Sequence, residues 1–290
     1  QRQMCIRDSY GTSAIRETEN TLILQDQIEQ RTGIWVETLS NSEQRFLDYK
    51  SIASKGETFR RIIEEKTAIL DIGGGSIQIS LFDKDTLVST QNLRLGVLRL
   101  QELLNHLNAG STQMERLVDE LATAQLDDYK KLYLKDREIK NIIIVDDYLS
   151  PWAVRKAHER GEVNAVVDRK AFSQLMEALR TKGTTELAKR MDIAEEKVPL
   201  VYISAILTRR IAELMGAELV WAPGVTLCDG IAYEYAEQNK MFRGEHDFAE
   251  DIIACALNIS KRYNGSSKRA DTLEPVSYTH LRAHETVLDL

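Results

Sequence analysis

"AILDIGGGSIQISLF", residues 68–82, is the stretch that decides the fold. An apolar run ends in Asp71, three glycines and a serine follow, and a second run begins at Ile77 with Gln78 near its start. Both runs have the length and β-branched content of strands, and the glycines between them mark a hairpin turn. The common tight hairpin needs only about two turn residues. Three glycines directly after a strand ending in an acid exceed that need, and successive backbone amides in such a turn form an anion-binding nest. The stretch therefore predicts a phosphate loop made by Gly73, Gly74, Gly75 and Ser76. Asp71 sits at its mouth, where a carboxylate can hold a magnesium ion against phosphate oxygens. A Walker loop is excluded, because no Lys-Ser or Lys-Thr follows and the next element is a strand.

Working outward, helix and strand signals alternate. "IRETENTLILQDQIEQRTG" has helical apolar spacing and stops at Gly33. "IWVETL" reads as a strand, and Ser40 stands three residues before Glu43, the spacing of a capping box that opens a helix. Strands are expected at 67–72, 76–82 and 86–91, with "DKD" turning between the last two. A charged helical stretch from about Val97 to Asp136 leads to the strand "NIIIVDD", and "AELVWA" is a further strand ahead of "PGVTLCDGIAYEYAEQ". Strands alternating with helices give the α/β class.

Composition narrows the function. The chain has 290 residues, is 43% hydrophobic and carries a net charge of −7. That balance argues against broad nucleic-acid binding and leaves room for a local basic pocket holding a small polyanion. No apolar run approaches the ~20 residues of a membrane helix, so no membrane association is expected and the cytoplasm is the default location. Cys5, Cys228 and Cys255 lack paired spacing and read as free thiols. "GEHDFAEDII" contains a His246-Asp247 pair without further ligands at helical spacing, and reads as a surface helix start. The ends, residues 1–9 and 276–290, have no consistent period and resemble conceptual translations of sequencing-library adapter.

"DIGGGS", with "GTSAIRE" upstream and "SNSEQR" between them, resembles the exopolyphosphatase and guanosine pentaphosphate phosphohydrolase (Ppx/GppA) family. The resemblance implies two ribonuclease-H-like domains of the sugar kinase, actin and Hsp70 superfamily. It divides the chain into a partial first domain at 10–95, a second at 96–243 and the start of a helical extension at 244–275. It also implies hydrolysis of the terminal phosphate of polyphosphate or guanosine pentaphosphate with a magnesium-type ion. A homodimer is the expected assembly of the parent protein.

By the same resemblance, Arg16 contacts phosphate, Glu43 is the base that activates the attacking water, and Asp71 with Gly73, Gly74, Gly75 and Ser76 form the phosphate loop. Gly96 and Arg99 fall in register with the family's next motif. From the residues alone, Arg16 is a solvated arginine of a first helical turn and Glu43 the capping partner of Ser40. A base role would suit a partly buried carboxylate whose pKa is raised.

Three departures stand out. Gln78 replaces an acid carried by many relatives, and an amide offers neither a base nor a full charge to a metal. Asp146 and Asp147 occupy a loop where the family has glycine, or else cap the following helix. Pro223 replaces an acid before Gly224 and Gly230. The family's first phosphate loop, an Asp-x-Gly-Ser/Thr-Asn-Ser pattern, does not occur before Arg16, so the expected chain is weakly active or inactive on its own. The alternative expectation is a family member that senses polyphosphate or a guanosine alarmone without turning it over.

Overall fold

The computed structural model describes residues 8–107, 111–242, 244, 246 and 248–266. The adapter-like stretch 276–290 and most of 1–9 lie outside them, while Asp8 and Ser9 belong to the first strand. The chain runs β1 (Asp8–Gly11), α1 (Ser13–Arg16), α2 (Thr21–Thr32), β2 (Trp35–Thr38), α3 (Asn41–Ala53) and α4 (Glu57–Ile63). Then come β3 (Thr67–Ile72), β4 (Ile77–Asp83), β5 (Thr86–Leu93), α5 (Val97–His106) and α6 (Ser111–Tyr129), with a π turn at Lys130–Leu134. The remainder is β6 (Asn141–Asp146), α7 (Leu149–Glu159), β7 (Val166–Val167), α8 (Arg169–Thr181), α9 (Thr184–Met191), α10 (Val198–Met215), β8 (Leu219–Trp221), α11 (Leu227–Gln238) and α12 (Phe248–Arg262).

The local signals act as expected. Gly33 closes α2 in the left-handed region at φ 69°, and Ser40 with Glu43 opens α3 by a reciprocal capping box. Lys84 and Asp85 both have positive φ, the geometry of the two-residue turn that matches strand twist. Two short strands, β1 and β7, carry no usable alternation and were not expected from sequence.

Six strands form one mixed sheet in the order β5-β4-β3-β6-β8-β7, and β1 pairs with β2 in a separate parallel pair. β3, β6 and β8 run parallel, while β4, β5 and β7 are antiparallel to their neighbours. This corrects the domain division expected at 95/96. β3 pairs with β6 from Thr67 opposite Asn141 to Ile72 opposite Asp146, so that boundary would cut a single sheet. The sheet unit begins at β3, because its parallel ladder needs a strand from each side of residue 95.

Strand alternation sends side chains to two cores. Ala68, Leu70, Ile72, Ile77 and Ile79 join the larger core with α5, α6, α7, α8 and α10. Ile69, Phe82, Ile143 and Trp221 join the smaller one, beneath α3, α4 and α12. Asp71 and Gln78, one residue out of phase with Leu70 and Ile77, consequently face α3. No helix among the described residues is long and apolar enough to cross a membrane.

Candidate active site

The site lies at the carboxyl ends of β3 and β6, where the chain leaves toward opposite edges of the sheet. Open α/β sheets bind ligands at such switch points. The glycine loop bridges β3 to β4 here, and its carbonyls are all engaged. Gly73 O accepts from Val97 N at 3.0 Å, and Gly74 O from Leu98 N at 3.0 Å and Arg99 N at 3.1 Å. Gly75 O accepts from Arg99 Nε at 3.0 Å. Gly73 N donates to Ser76 O at 3.0 Å. The amides of Gly74, Gly75 and Ser76 donate to no described residue. The loop thus turns its carbonyls toward the start of α5 and leaves donors for an anion.

None of the three loop glycines adopts the left-handed region, so turn geometry does not explain them. Close approach explains Gly74 alone, since a Cβ on Gly73 or Gly75 would meet nothing nearer than 3.4 Å. A Cβ on Gly74 would stand 2.8 Å from Leu98 Cδ1. Gly96 is the tighter constraint, since a Cβ there would fall 2.1 Å from Gly75 C, 2.2 Å from Gly74 O and 2.3 Å from Ser76 N. Arg99 also pairs with Glu17 at 2.8 Å, which draws the "TSAIRE" segment to the loop. The motif match of Gly96 and Arg99 therefore has a physical basis in loop support.

The other expected residues occupy the following positions. Arg16 donates from a guanidinium nitrogen to Leu39 O at 2.5 Å, tying α1 to the head of α3. Glu43 is exposed, and its Oε2 accepts from Ser40 N at 2.7 Å. That backbone bond, aided by the Ser40 hydroxyl, lowers its pKa below the ordinary carboxylate value. The raised pKa expected of a buried base is not found, because capping exposes this carboxylate and gives its charged form two donors.

The residue of this segment that faces Asp71 is Gln44, whose Nε2 donates to Asp71 Oδ2 at 3.3 Å. Gln78 sits directly opposite Asp71 in the β3–β4 ladder and donates to the same oxygen at 3.1 Å. Arg45 Nε in turn donates to Gln78 Oε1 at 2.8 Å. Asp48, one helical turn beyond Gln44, is buried, and its Oδ2 has no hydrogen-bond partner. Burial first, then the charge of Asp71, pushes the Asp48 carboxyl well above the ordinary range. Burial likewise raises Asp71 to about 6, with Asp147 and Asp146 adding repulsion.

Sequence reasoning missed Gln44, Arg45 and Asp48; the signal was the i, i+4 pairing of Gln44 and Asp48 on one face of an otherwise core-facing helix. Asp146 proves to be a capping residue. Its Oδ1 accepts from Ser150 N at 2.6 Å, and its Oδ2 from Leu149 N at 2.8 Å and Ser204 Oγ at 2.7 Å. Asp147 stays exposed beside the cluster. Gly224, at φ 66°, and Gly230 shape the surroundings. A Cβ on Gly230 would meet Leu47 O at 2.0 Å, so its absence lets α11 seat α3.

Among the described residues no group of three or more His, Cys, Asp or Glu is arranged to hold a metal ion unaided. Magnesium commonly takes one or two carboxylates and fills its remaining positions with water and substrate phosphate. Asp71 and Asp48 are neighbouring buried carboxyls, Asp48 keeps an oxygen without a partner, and together they fit such an ion.

Comparison with known proteins bears on the family and the fold. The chain matches the Ppx/GppA phosphatase family over residues 9–239. Among solved structures, an exopolyphosphatase from Cytophaga hutchinsonii shares the fold with a TM-score of 0.63 at 17% identity, over 79% of this chain and 74% of that one. A PPX-GPPA enzyme from Aquifex aeolicus gives 0.62 at 14% identity, over 78% and 74%. A bifunctional 3-dehydroquinate synthase/phosphatase from Fusobacterium nucleatum is 25% identical over 130 residues, which are 42% of this chain and 19% of that protein. The chain thus spans only a small part of that relative's length. With a match covering more than half of its residues, the chain belongs to the Ppx/GppA phosphatase family.

Proposed function

We propose that this protein is a phosphohydrolase acting on the terminal phosphate of inorganic polyphosphate or guanosine pentaphosphate. The observation that carries the proposal is the glycine loop, whose amides at Gly74, Gly75 and Ser76 donate to no described residue while its carbonyls are held by α5 and Arg99. Preorganised donors of this kind stabilise charge that develops on a transferring phosphoryl group. A magnesium ion held by Asp71 and Asp48 would neutralise phosphate charge. Arg16, at the head of α3, supplies a cation on the approach to the loop.

Glu43 is the base in this proposal. Its Oε2 is committed to Ser40, and its Oε1 makes no hydrogen bond to a described residue, leaving one oxygen for a water proton. A lowered pKa keeps the group ionised at neutral pH and makes it a weak base.

A second reading rests on its own observation: the two side chains that donate to Asp71 Oδ2, Gln44 and Gln78, are amides. Neither can accept a proton, which favours a protein that binds polyphosphate or a guanosine alarmone with little turnover.

Phosphate release from each substrate, with magnesium and with chelator, tests the two on wild type and Glu43→Gln, alongside calorimetric binding. Magnesium-dependent release that collapses in Glu43→Gln supports hydrolysis. Binding without release in either protein supports the sensor, and absence of binding in both overturns the phosphate cradle itself.

A further inference from the structure

We propose that His246 is a proton-operated latch that fastens α12 to the β4–β5 turn and, through Phe248, braces the back of α3. Its side chain is only 5% exposed. Nδ1 lies 3.0 Å from Asp85 Oδ1 in the turn, and Nε2 lies 2.6 Å from Asp251 Oδ2 on α12. A neutral imidazole has one donor nitrogen and one acceptor, so one of these carboxylates would face a lone pair. Only the imidazolium donates to both. Asp251 is itself anchored, since its Oδ1 accepts from Leu87 N of β5 at 2.9 Å.

Packing fixes the ring between two aromatics, edge to face with Phe248 at 4.7 Å and with Phe59 of α4 at 5.8 Å. Phe248 in turn meets Phe46 of α3 edge to face at 5.6 Å. Lys50 of α3 stands over the rings of Phe46 and Phe248 at 4.7 and 6.0 Å. Gln44, Arg45 and Asp48 are on that same helix, so the latch reaches the site through one aromatic relay. This corrects the sequence reading of His246 as part of a surface helix start.

The charged surroundings are one-sided. Asp85 faces the ring from the turn and Asp251 from α12, Glu64 at the end of α4 adds its field to Asp85, and Cys255 lies beside Asp251. Losing the imidazolium proton would leave these carboxylates without their shared cation. Burial pulls the imidazole down, but the bonds and charges of Asp251 and Asp85 outweigh it and hold the group above its ordinary value. A group raised in the folded state stabilises below its unfolded value and loses that contribution as pH rises through the folded value. The latch is therefore closed in mild acid and opens toward alkaline pH.

Hydrogen–deuterium exchange across α12 on the full chain, from pH 6 to pH 9 and corrected for intrinsic rates, is the test. Wild-type protection should fall as pH rises from the ordinary imidazole value through the raised folded one, by at most about tenfold per pH unit, the slope set by one proton, and level off above it. His246→Phe keeps the ring packing and should abolish the pH dependence, and Asp85→Asn should move the midpoint to lower pH. Flat wild-type protection, or the same fall in His246→Phe, overturns the latch. Should His246→Phe fail to fold, an unmoved midpoint in Asp85→Asn overturns it equally.

Discussion

Gln78 and Asp71 stand opposite each other across β3 and β4, and the amide of one donates to Oδ2 of the other at 3.1 Å while its oxygen accepts from Arg45 at 2.8 Å. The amide so joins a cation to a carboxylate without adding charge. Gln78→Glu would pair ionically with Arg45 and place a further carboxylate against Asp71. We expect the metal-free variant to lose about 1–3 kcal/mol, as for a buried polar group left imperfectly matched. We also expect its melting temperature to rise more steeply than wild type's on magnesium titration, which a thermal-shift series reads directly.

Asp48→Asn should act in the opposite direction. The native carboxyl is buried, has an unpartnered oxygen and is pushed up by burial and by Asp71. An amide of the same shape cannot ionise beside Asp71 and keeps a donor for it. The expected result is a gain of about 1–2 kcal/mol at pH 7 without metal, accompanied by weaker magnesium binding in calorimetry. A loss of metal-free stability would contradict this account of the carboxyl pair.

Gly96→Ala tests the cradle. The new methyl meets three backbone atoms of the glycine loop at 2.1–2.3 Å, none of which belongs to a flexible side chain. Overpacking of this kind costs about 1–3 kcal/mol, and here the strain is relieved by displacing the loop. Tripolyphosphate binding should weaken more than tenfold, or by more than about 1.4 kcal/mol. Retention of wild-type affinity would show that the loop amides do not hold the anion.

The acid limb of stability should report Glu115. Two bonds from Arg180 and one from Arg209, all at 2.6 Å, with Tyr202 at 3.0 Å, join α6, α8 and α10 through this carboxylate. The Arg180 bond, opposed by burial, holds its pKa down at about 2. A depressed carboxylate contributes stability above its unfolded value, and that contribution disappears as pH falls toward the folded one. Denaturant midpoints should therefore drop between about pH 4.5 and pH 2 in wild type, and Glu115→Gln should be less stable at pH 7 with a flatter acid limb.

Much of the fold and part of the site were legible in the chain. The strands at 67–72, 77–83 and 86–93, the capping box of α3 and the "DKD" turn follow from short-range signals. The phosphate loop was found from its glycine run, though none of its glycines adopts left-handed turn angles and the tight contacts lie at Gly74 and at Gly96 of the α5 start. His246 and Asp48 were misjudged or overlooked because their burial depends on α12 and on the sheet beneath α3. Neither contact has a local sequence signature.

The sequence by itself determined the α/β class, the order of the strands along the chain and the glycine loop, since periodicity, turn chemistry and capping act over a few residues. Tertiary structure alone decided where the sheet begins, that Asp146 is spent on capping α7, and that Gln44 rather than Glu43 meets Asp71. The physical reason is that pairing, burial and charge coupling join residues tens of positions apart. Strand register brings Asp71 against Gln78, and the close crossing at Gly230 seats the helix that delivers Gln44, Arg45 and Asp48 to them.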